Sequence, residues 1–106
     1  MDDIGTLLAQ IRAYLDAPAG ATPDIARMER TLTDGYAHAL TLEGERRRIE
    51  RRIGAVAATL EEGDKEGKTK ELGELSRRLE LANDQLSQLR SLLNALKARA
   101  AAVRVA

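Results

Sequence analysis

The 106-residue sequence contains no cysteine, phenylalanine or tryptophan, and its only aromatic residues are Tyr14 and Tyr36. Without cysteine the chain can form no disulfide, no thiolate metal site and no thiol nucleophile. The scarcity of aromatic residues disfavours a β core. The apolar residues are mostly Leu, Ala and Ile, which favour helices and coiled coils.

The chain also has no excess charge, because 17 basic side chains balance 17 acidic ones. A neutral chain has no net field that attracts a polyanion or an acidic membrane surface, so any such binding would have to be local. No apolar run approaches the roughly 18–20 residues that span a bilayer. The N-terminal stretch, MDDIGTLLAQ, is acidic where a signal peptide would be basic. We therefore expect a soluble, cytoplasmic protein.

Apolar periodicity predicts three helices. Residues 2–16 form a short amphipathic helix, and residues 17–22 form a linker that ends at Thr22, the expected N-cap of the second helix. The second helix then covers residues 23–62 with Pro23 at its first position. A polar turn at residues 63–68 precedes a third helix over residues 69–104, for which Thr69 is the expected cap.

The second and third helices follow a seven-residue repeat, whose a and d positions form an apolar seam. The seam is interrupted only by Gly35 and Arg46. Its a positions are Ile25, Leu32, Ala39, Arg46, Ile53 and Leu60, then Leu72, Leu79, Leu86, Leu93 and Ala100, and its d positions are Met28, Gly35, Leu42, Ile49 and Val56, then Leu75, Ala82, Leu89, Leu96 and Val103. This pattern predicts a single all-α domain: a long antiparallel helical hairpin (a coiled coil) with the short N-terminal helix packed near the termini.

Charges at the e and g positions, which flank the seam, favour one register. That register brings Glu29 near Arg104 and places Ala100 opposite Gly35, where two small residues allow close helix approach. The neighbouring register is disfavoured because it brings Arg52 against Arg78.

Five arginines lie in the segment ERRRIERRI, residues 45–53. On the heptad they spread around the helix, with Arg46 at a, Arg48 at c and Arg52 at g, and nearby carboxylates can pair with them. A phosphate-binding surface would be one-sided, and a single-strand binder would add aromatics. We therefore interpret the cluster as a salt-bridged flank, with nucleic-acid association through these arginines as the alternative. Arg46 should lay its methylenes along the seam and place its guanidinium at the edge.

No catalytic constellation is present in the sequence. Asp34 and His38 share a helix face, but two potential ligands do not make a metal site. We expect no enzymatic activity, no cofactor, no metal and no small-molecule substrate.

Apolar residues widen the seam on its two sides, with Tyr36 and Leu40 on one side and Leu92 on the other. The first helix is long enough to cover only one side, so the other is left for a partner. Small folds often gain stability by oligomerising. We therefore predict a protein–protein interaction module, an adaptor, scaffold or chaperone-like protein, that forms a homodimer. Its exposed flank or its tip should dock another protein, with Tyr36, Leu40 and Leu92 as the expected anchors.

The run MERTLTDGYAHALTLEGERRRIERRI, residues 28–53, resembles segments of small uncharacterised bacterial coiled-coil proteins from GC-rich genomes. The resemblance covers about a quarter of the chain and implies a coiled-coil fold without a known activity. In size and outline the chain is also similar to helical-hairpin adaptors and secretion chaperones, although it lacks a Trp-x-Gly turn motif.

Overall fold

The computed structural model describes residues 4–18 and 24–105, which form three α-helices and no strand. These are α1 (Ile4–Leu15), α2 (Ile25–Ala58) and α3 (Lys65–Val105). Helices α2 and α3 pack against each other, so the predicted all-α helical hairpin with a short N-terminal helix is confirmed. None of the helices in these described ranges combines the length and apolar character that a membrane span requires.

The chain divides into two compact units. The terminal unit comprises Met1–Leu40 and Ser87–Ala106, and therefore holds α1, the first part of α2 and the last part of α3. The turn unit comprises Thr41–Leu86, with the second part of α2, the connection and the first part of α3.

The core of the terminal unit joins all three helices. Helix α1 buries Leu7, Leu8 and Ile11. The buried seam residues of α2 and α3 in this unit are Met28, Ala39, Leu89, Leu93, Leu96 and Ala100. Arg99 of α3 donates hydrogen bonds to the carbonyl oxygens of Leu15 and Ala17, at 3.4 and 3.3 Å, and so fixes the end of α1 against α3.

In the turn unit the core is the seam itself. Ile49, Val56 and Leu75 are buried and are packed against the partly buried Ile53, Leu72 and Leu79. Leu42, Ala82 and Leu86 extend this buried row. Each of these residues occupies a predicted a or d position, so the seam assignment is correct in this unit.

The connection between α2 and α3 lies earlier than predicted. Helix α2 ends at Ala58, residues 59–64 form the connection, and α3 begins at Lys65. The amides of Thr59 and Leu60 bond back to carbonyls three residues earlier, which tightens the end of α2. Gly63 then adopts a left-handed φ of 65°, a conformation that glycine adopts without steric cost. The predicted turn at residues 63–68 was therefore wrong by about one helical turn.

Asp64, and not Thr69, caps α3. The Oδ1 atom of Asp64 accepts a hydrogen bond from the backbone amide of Gly67 at 2.9 Å. The Thr69 hydroxyl instead donates to the Lys65 carbonyl oxygen at 2.9 Å, inside the helix. Aspartate is at least as good an N-cap as threonine. Because Asp64 precedes Thr69, capping by Asp64 lengthens α3 by about one turn at its start.

The start of α2 follows the same rule. Asp24 Oδ1 accepts a hydrogen bond from the backbone amide of Arg27 at 3.1 Å, and the helix begins at Ile25. The predicted cap, Thr22, and the predicted first residue, Pro23, lie outside the described residues.

Gly35 is buried in the terminal unit, and Leu93 lies against it. A Cβ atom built on Gly35 would lie 3.3 Å from Leu93 Cγ and would overlap Leu93 Cδ2. The expectation of close packing at Gly35 is therefore confirmed, but its partner is Leu93 and not Ala100. The register differs by one heptad from the predicted one, and Arg52 and Arg78 accordingly line one cavity in the turn unit.

Exposed charges could not decide the register, because each ion pair contributes too little. Burying a leucine side chain contributes roughly 1.5–3 kcal/mol, whereas an exposed ion pair contributes about 0–1 kcal/mol. The Glu29–Arg104 pair does form. This pair could not decide the register. Each e residue lies between two successive e residues of the facing helix, so Glu29 can reach Arg104 in the predicted register and in the observed one.

Replacing Gly35 by alanine should destabilise the fold. The added methyl group gains helix propensity of about 1 kcal/mol but overpacks the buried Leu93, at a cost of about 1–3 kcal/mol. We expect a net loss of about 1 kcal/mol in the free energy of unfolding, measured by urea titration. Gly54→Ala is the matched control in the same helix, where the new methyl group would lie within 4 Å of no atom beyond the neighbouring backbone of α2, and it should stabilise. Equal stabilisation by both substitutions would contradict the Gly35–Leu93 contact.

The cap assignment predicts unequal effects at Asp64 and Thr69. Asp64→Ala should lower the free energy of unfolding by about 1 kcal/mol, because the Gly67 amide loses its acceptor. Thr69→Ala should be neutral or slightly stabilising, because alanine has the higher helix propensity. Thermal unfolding followed by circular dichroism compares the two variants, and a larger loss for Thr69→Ala would restore Thr69 as the cap.

Candidate interaction surfaces

An exposed apolar pair lies on α2 in the terminal unit. Tyr36 is 43% exposed and Leu40 is 67% exposed. The two residues are four apart and therefore share one face of the helix. We call this pair the Tyr36 patch. Exposed tyrosine and leucine side chains can contribute substantial binding energy when a partner removes them from water.

Charged side chains border the Tyr36 patch. One heptad before Tyr36, Glu29 forms an ion pair with Arg104 of α3, and both side chains are about half exposed. An apolar centre with a charged border is the usual anatomy of a protein–protein interface.

Leu92 lies on the other side of the terminal unit. It is half-buried, and Arg99, at the equivalent position of the next heptad, donates to the carbonyls at the end of α1. Thr31 of α2 is buried and shares a cavity with Tyr14 of α1. Helix α1 therefore occupies this side, and the structure does not bring Leu92 together with Tyr36 and Leu40.

The arginine cluster has partners from both helices of the turn unit. Arg46 is half-buried, its Nη1 donates to Asn83 Oδ1 at 3.5 Å, and its Nε lies 3.8 Å from Glu50 Oε1. This is the predicted geometry, with the guanidinium at the edge of the seam. The carboxylate of Glu50 offsets part of the positive charge that Arg46 could offer a phosphate.

Arg52 forms the best-defined ion pair of the cluster. Its Nε and Nη2 atoms donate to the two carboxylate oxygens of Glu71, at 2.7 and 3.0 Å. These hydrogen bonds raise the pKa of Arg52 and lower the pKa of Glu71 from their ordinary values. The pair lies at the surface and crosses from α2 to α3.

A basic groove lies beside this pair. Arg48, Arg52 and Arg78 line a cavity of about 310 Å³ together with Glu45, and the buried Ile49 and Leu75 form its floor. We call it the arginine groove. Sequence reasoning selected Arg48 and Arg52 but noted Arg78 only as a repulsive neighbour, because the groove requires the register that the charges disfavoured.

Another residue that sequence reasoning missed is Leu81, which is 58% exposed on α3. It lies outside the seam, at the c position, so the heptad marked it as a surface residue. Its signal in the sequence was a large apolar side chain at a position where the repeat calls for a polar one.

A second cavity, of about 390 Å³, lies between α1 and α2 in the terminal unit. Tyr14, Arg27, Arg30 and Asp34 are among its lining residues. Within the described ranges, 4–18 and 24–105, no three His, Cys, Asp or Glu residues are arranged to hold a metal ion.

Comparison of the chain with protein-family models, curated proteins and solved structures finds no match. The resemblance to bacterial coiled-coil proteins therefore stays an expectation.

The Arg52–Glu71 pair should make the stability of the fold depend on pH. Because Arg52 holds the pKa of Glu71 below its ordinary value of about 4.3, the pair stabilises the fold above that value, and this contribution is lost as the pH falls through the lowered pKa. Arg52→Gln should raise the pKa of Glu71 towards its ordinary value, as measured by carboxyl ¹³C NMR titration. Arg51→Gln, on the outer face of α2, should leave it unchanged. An ordinary pKa for Glu71 in the wild-type chain would contradict the pairing.

Proposed function

We propose that this protein is a non-enzymatic protein–protein interaction module of the cytoplasm, an adaptor, scaffold or chaperone-like protein that forms a homodimer. The observation that carries the proposal is the joint exposure of Tyr36 and Leu40 on one face of α2. In the same unit the neighbouring seam residues are almost completely buried. A second copy that covers the patch would remove this apolar area from water.

The size of the fold supports self-association. Among the described residues, the apolar core of the terminal unit consists of the seam residues of α2 and α3 and three side chains from α1. Small helical folds with such thin cores commonly gain stability by burying a further face in an oligomer. The Glu29–Arg104 pair beside the patch carries one charge of each sign, and two copies related by a two-fold axis could therefore place opposite charges together.

The environment of the arginines supports a protein partner over a nucleic acid. Arg46 and Arg52 already contact Glu50 and Glu71, so their charge is partly neutralised. Neither Tyr14 nor Tyr36 belongs to the turn unit, so the residues of that unit include no aromatic ring on which a base could stack.

The dimer is tested by sedimentation equilibrium across a range of protein concentrations. The wild-type chain should associate to twice its 11.6 kDa mass. Leu40→Glu should weaken association by at least about tenfold, because a carboxylate cannot be buried without a partner. Leu81→Glu is the matched control, since it places the same charge on an exposed leucine of the turn unit.

Circular dichroism should show that both variants remain helical, because both leucines are exposed. A monomeric wild-type chain at high concentration would refute self-association. Equal association of Leu40→Glu and wild type would refute the Tyr36 patch as its interface.

A further inference from the structure

The arginine groove of the turn unit retains positive charge that its own residues do not neutralise. Arg52 is paired with Glu71, but neither Arg48 nor Arg78 forms an ion pair with any residue in the described ranges. Glu45 also lines the cavity, so two available guanidinium groups face one carboxylate there. Both arginines are exposed, one on α2 and one on α3.

An exposed leucine of α3 lies close in sequence to the arginine groove. Leu81 follows Arg78 by three residues, a spacing that places both on one face of the helix. It is 58% exposed. The groove therefore combines basic groups with an apolar floor formed by Ile49 and Leu75. Leu81 adds an exposed apolar side chain on the same face of α3 as Arg78.

The terminal unit shows what kind of element such a surface accepts. There the g and c positions of the heptad, which include Thr31 and Arg99, face α1. In the turn unit the corresponding positions include Arg48, Arg78 and Leu81, and these side chains are exposed. In the terminal unit a third helix thus packs on these heptad positions. In the turn unit no helix of the described residues covers them.

We propose that the arginine groove binds an acidic amphipathic helix from a partner protein. Carboxylates on the edges of that helix would pair with Arg48 and Arg78. Its apolar stripe would cover Leu81 and the floor of the groove, as Leu7, Leu8 and Ile11 of α1 are buried in the terminal unit. This site accepts a different protein and does not depend on the Tyr36 patch.

The composition of the groove favours an acidic helix over a nucleic acid. Glu45 in the cavity and Glu71 beside Arg52 would repel a phosphate backbone, whereas a helix can place its carboxylates only where the arginines are. An exposed leucine contributes to a contact with apolar side chains and offers nothing to a phosphate.

The test uses the full ¹⁵N-labelled chain and three probes. Two are synthetic helical peptides with the same leucine stripe, one flanked by glutamates and the other by lysines, and the third is a single-stranded oligonucleotide. The glutamate peptide should bind with a Kd at least about tenfold lower than that of the lysine peptide. The amide shifts it causes should centre on Arg48, Arg78 and Leu81.

Charge reversal identifies the groove. Arg48→Glu combined with Arg78→Glu should abolish the preference for the glutamate peptide. The matched control, Arg47→Glu with Arg51→Glu, changes the net charge equally on exposed positions outside the cavity lining and should retain this preference.

Leu81→Ser should weaken binding of the glutamate peptide severalfold. Leu40→Glu should leave that binding unchanged, which separates this site from the proposed dimer interface.

The proposal is overturned if the two peptides bind equally, if neither binds, or if the shifts lie outside the turn unit. Binding of the oligonucleotide alone, lost on reversal of Arg48 and Arg78, would also overturn it and would favour a nucleic-acid partner.

Discussion

The packing of the α2 seam on the α3 seam is the interaction on which the rest of the structure depends. Leu89, Leu93 and Leu96 are at most 1% exposed, and each buried leucine contributes roughly 1.5–3 kcal/mol. The exposed ion pairs contribute much less. The apolar seam therefore holds the two helices together, and the charged residues pair as its register allows. The Gly35–Leu93 contact is an example. It forms even though the register that allows it also brings Arg52 and Arg78 to one cavity.

The two proposed binding surfaces lie on sides of the seam that no helix of the described residues covers. In the terminal unit α1 occupies the side of Thr31 and Arg99, and the Tyr36 patch is left exposed. In the turn unit the g and c positions instead include the arginines of the groove and the exposed Leu81. The first surface is mainly apolar and suits a second copy of the chain. The second is basic and suits an acidic partner, although the whole chain has no net charge.

The periodicity of the sequence was sufficient to predict the three helices, the seam and the edge position of Arg46. It was insufficient for the register, since a heptad repeat fits its partner again after every seven residues and Glu29 can meet Arg104 in two of these arrangements. The connection was misplaced because Asp64 and Thr69 are both good caps, and hydrogen-bond geometry alone distinguishes them. Tyr36 and Leu40 could be selected from one helix, whereas the arginine groove needed residues from two helices in the correct register.

The contact between Gly35 and Leu93 tests this account most directly, and it can be observed without any substitution. In a nuclear Overhauser spectrum of the methyl-labelled chain, the Gly35 Hα protons should show strong cross-peaks to the Leu93 δ-methyl groups. Cross-peaks from Gly35 to the Ala100 methyl group in their place would contradict the register, and with it the position of Arg78 beside Arg48 and Arg52.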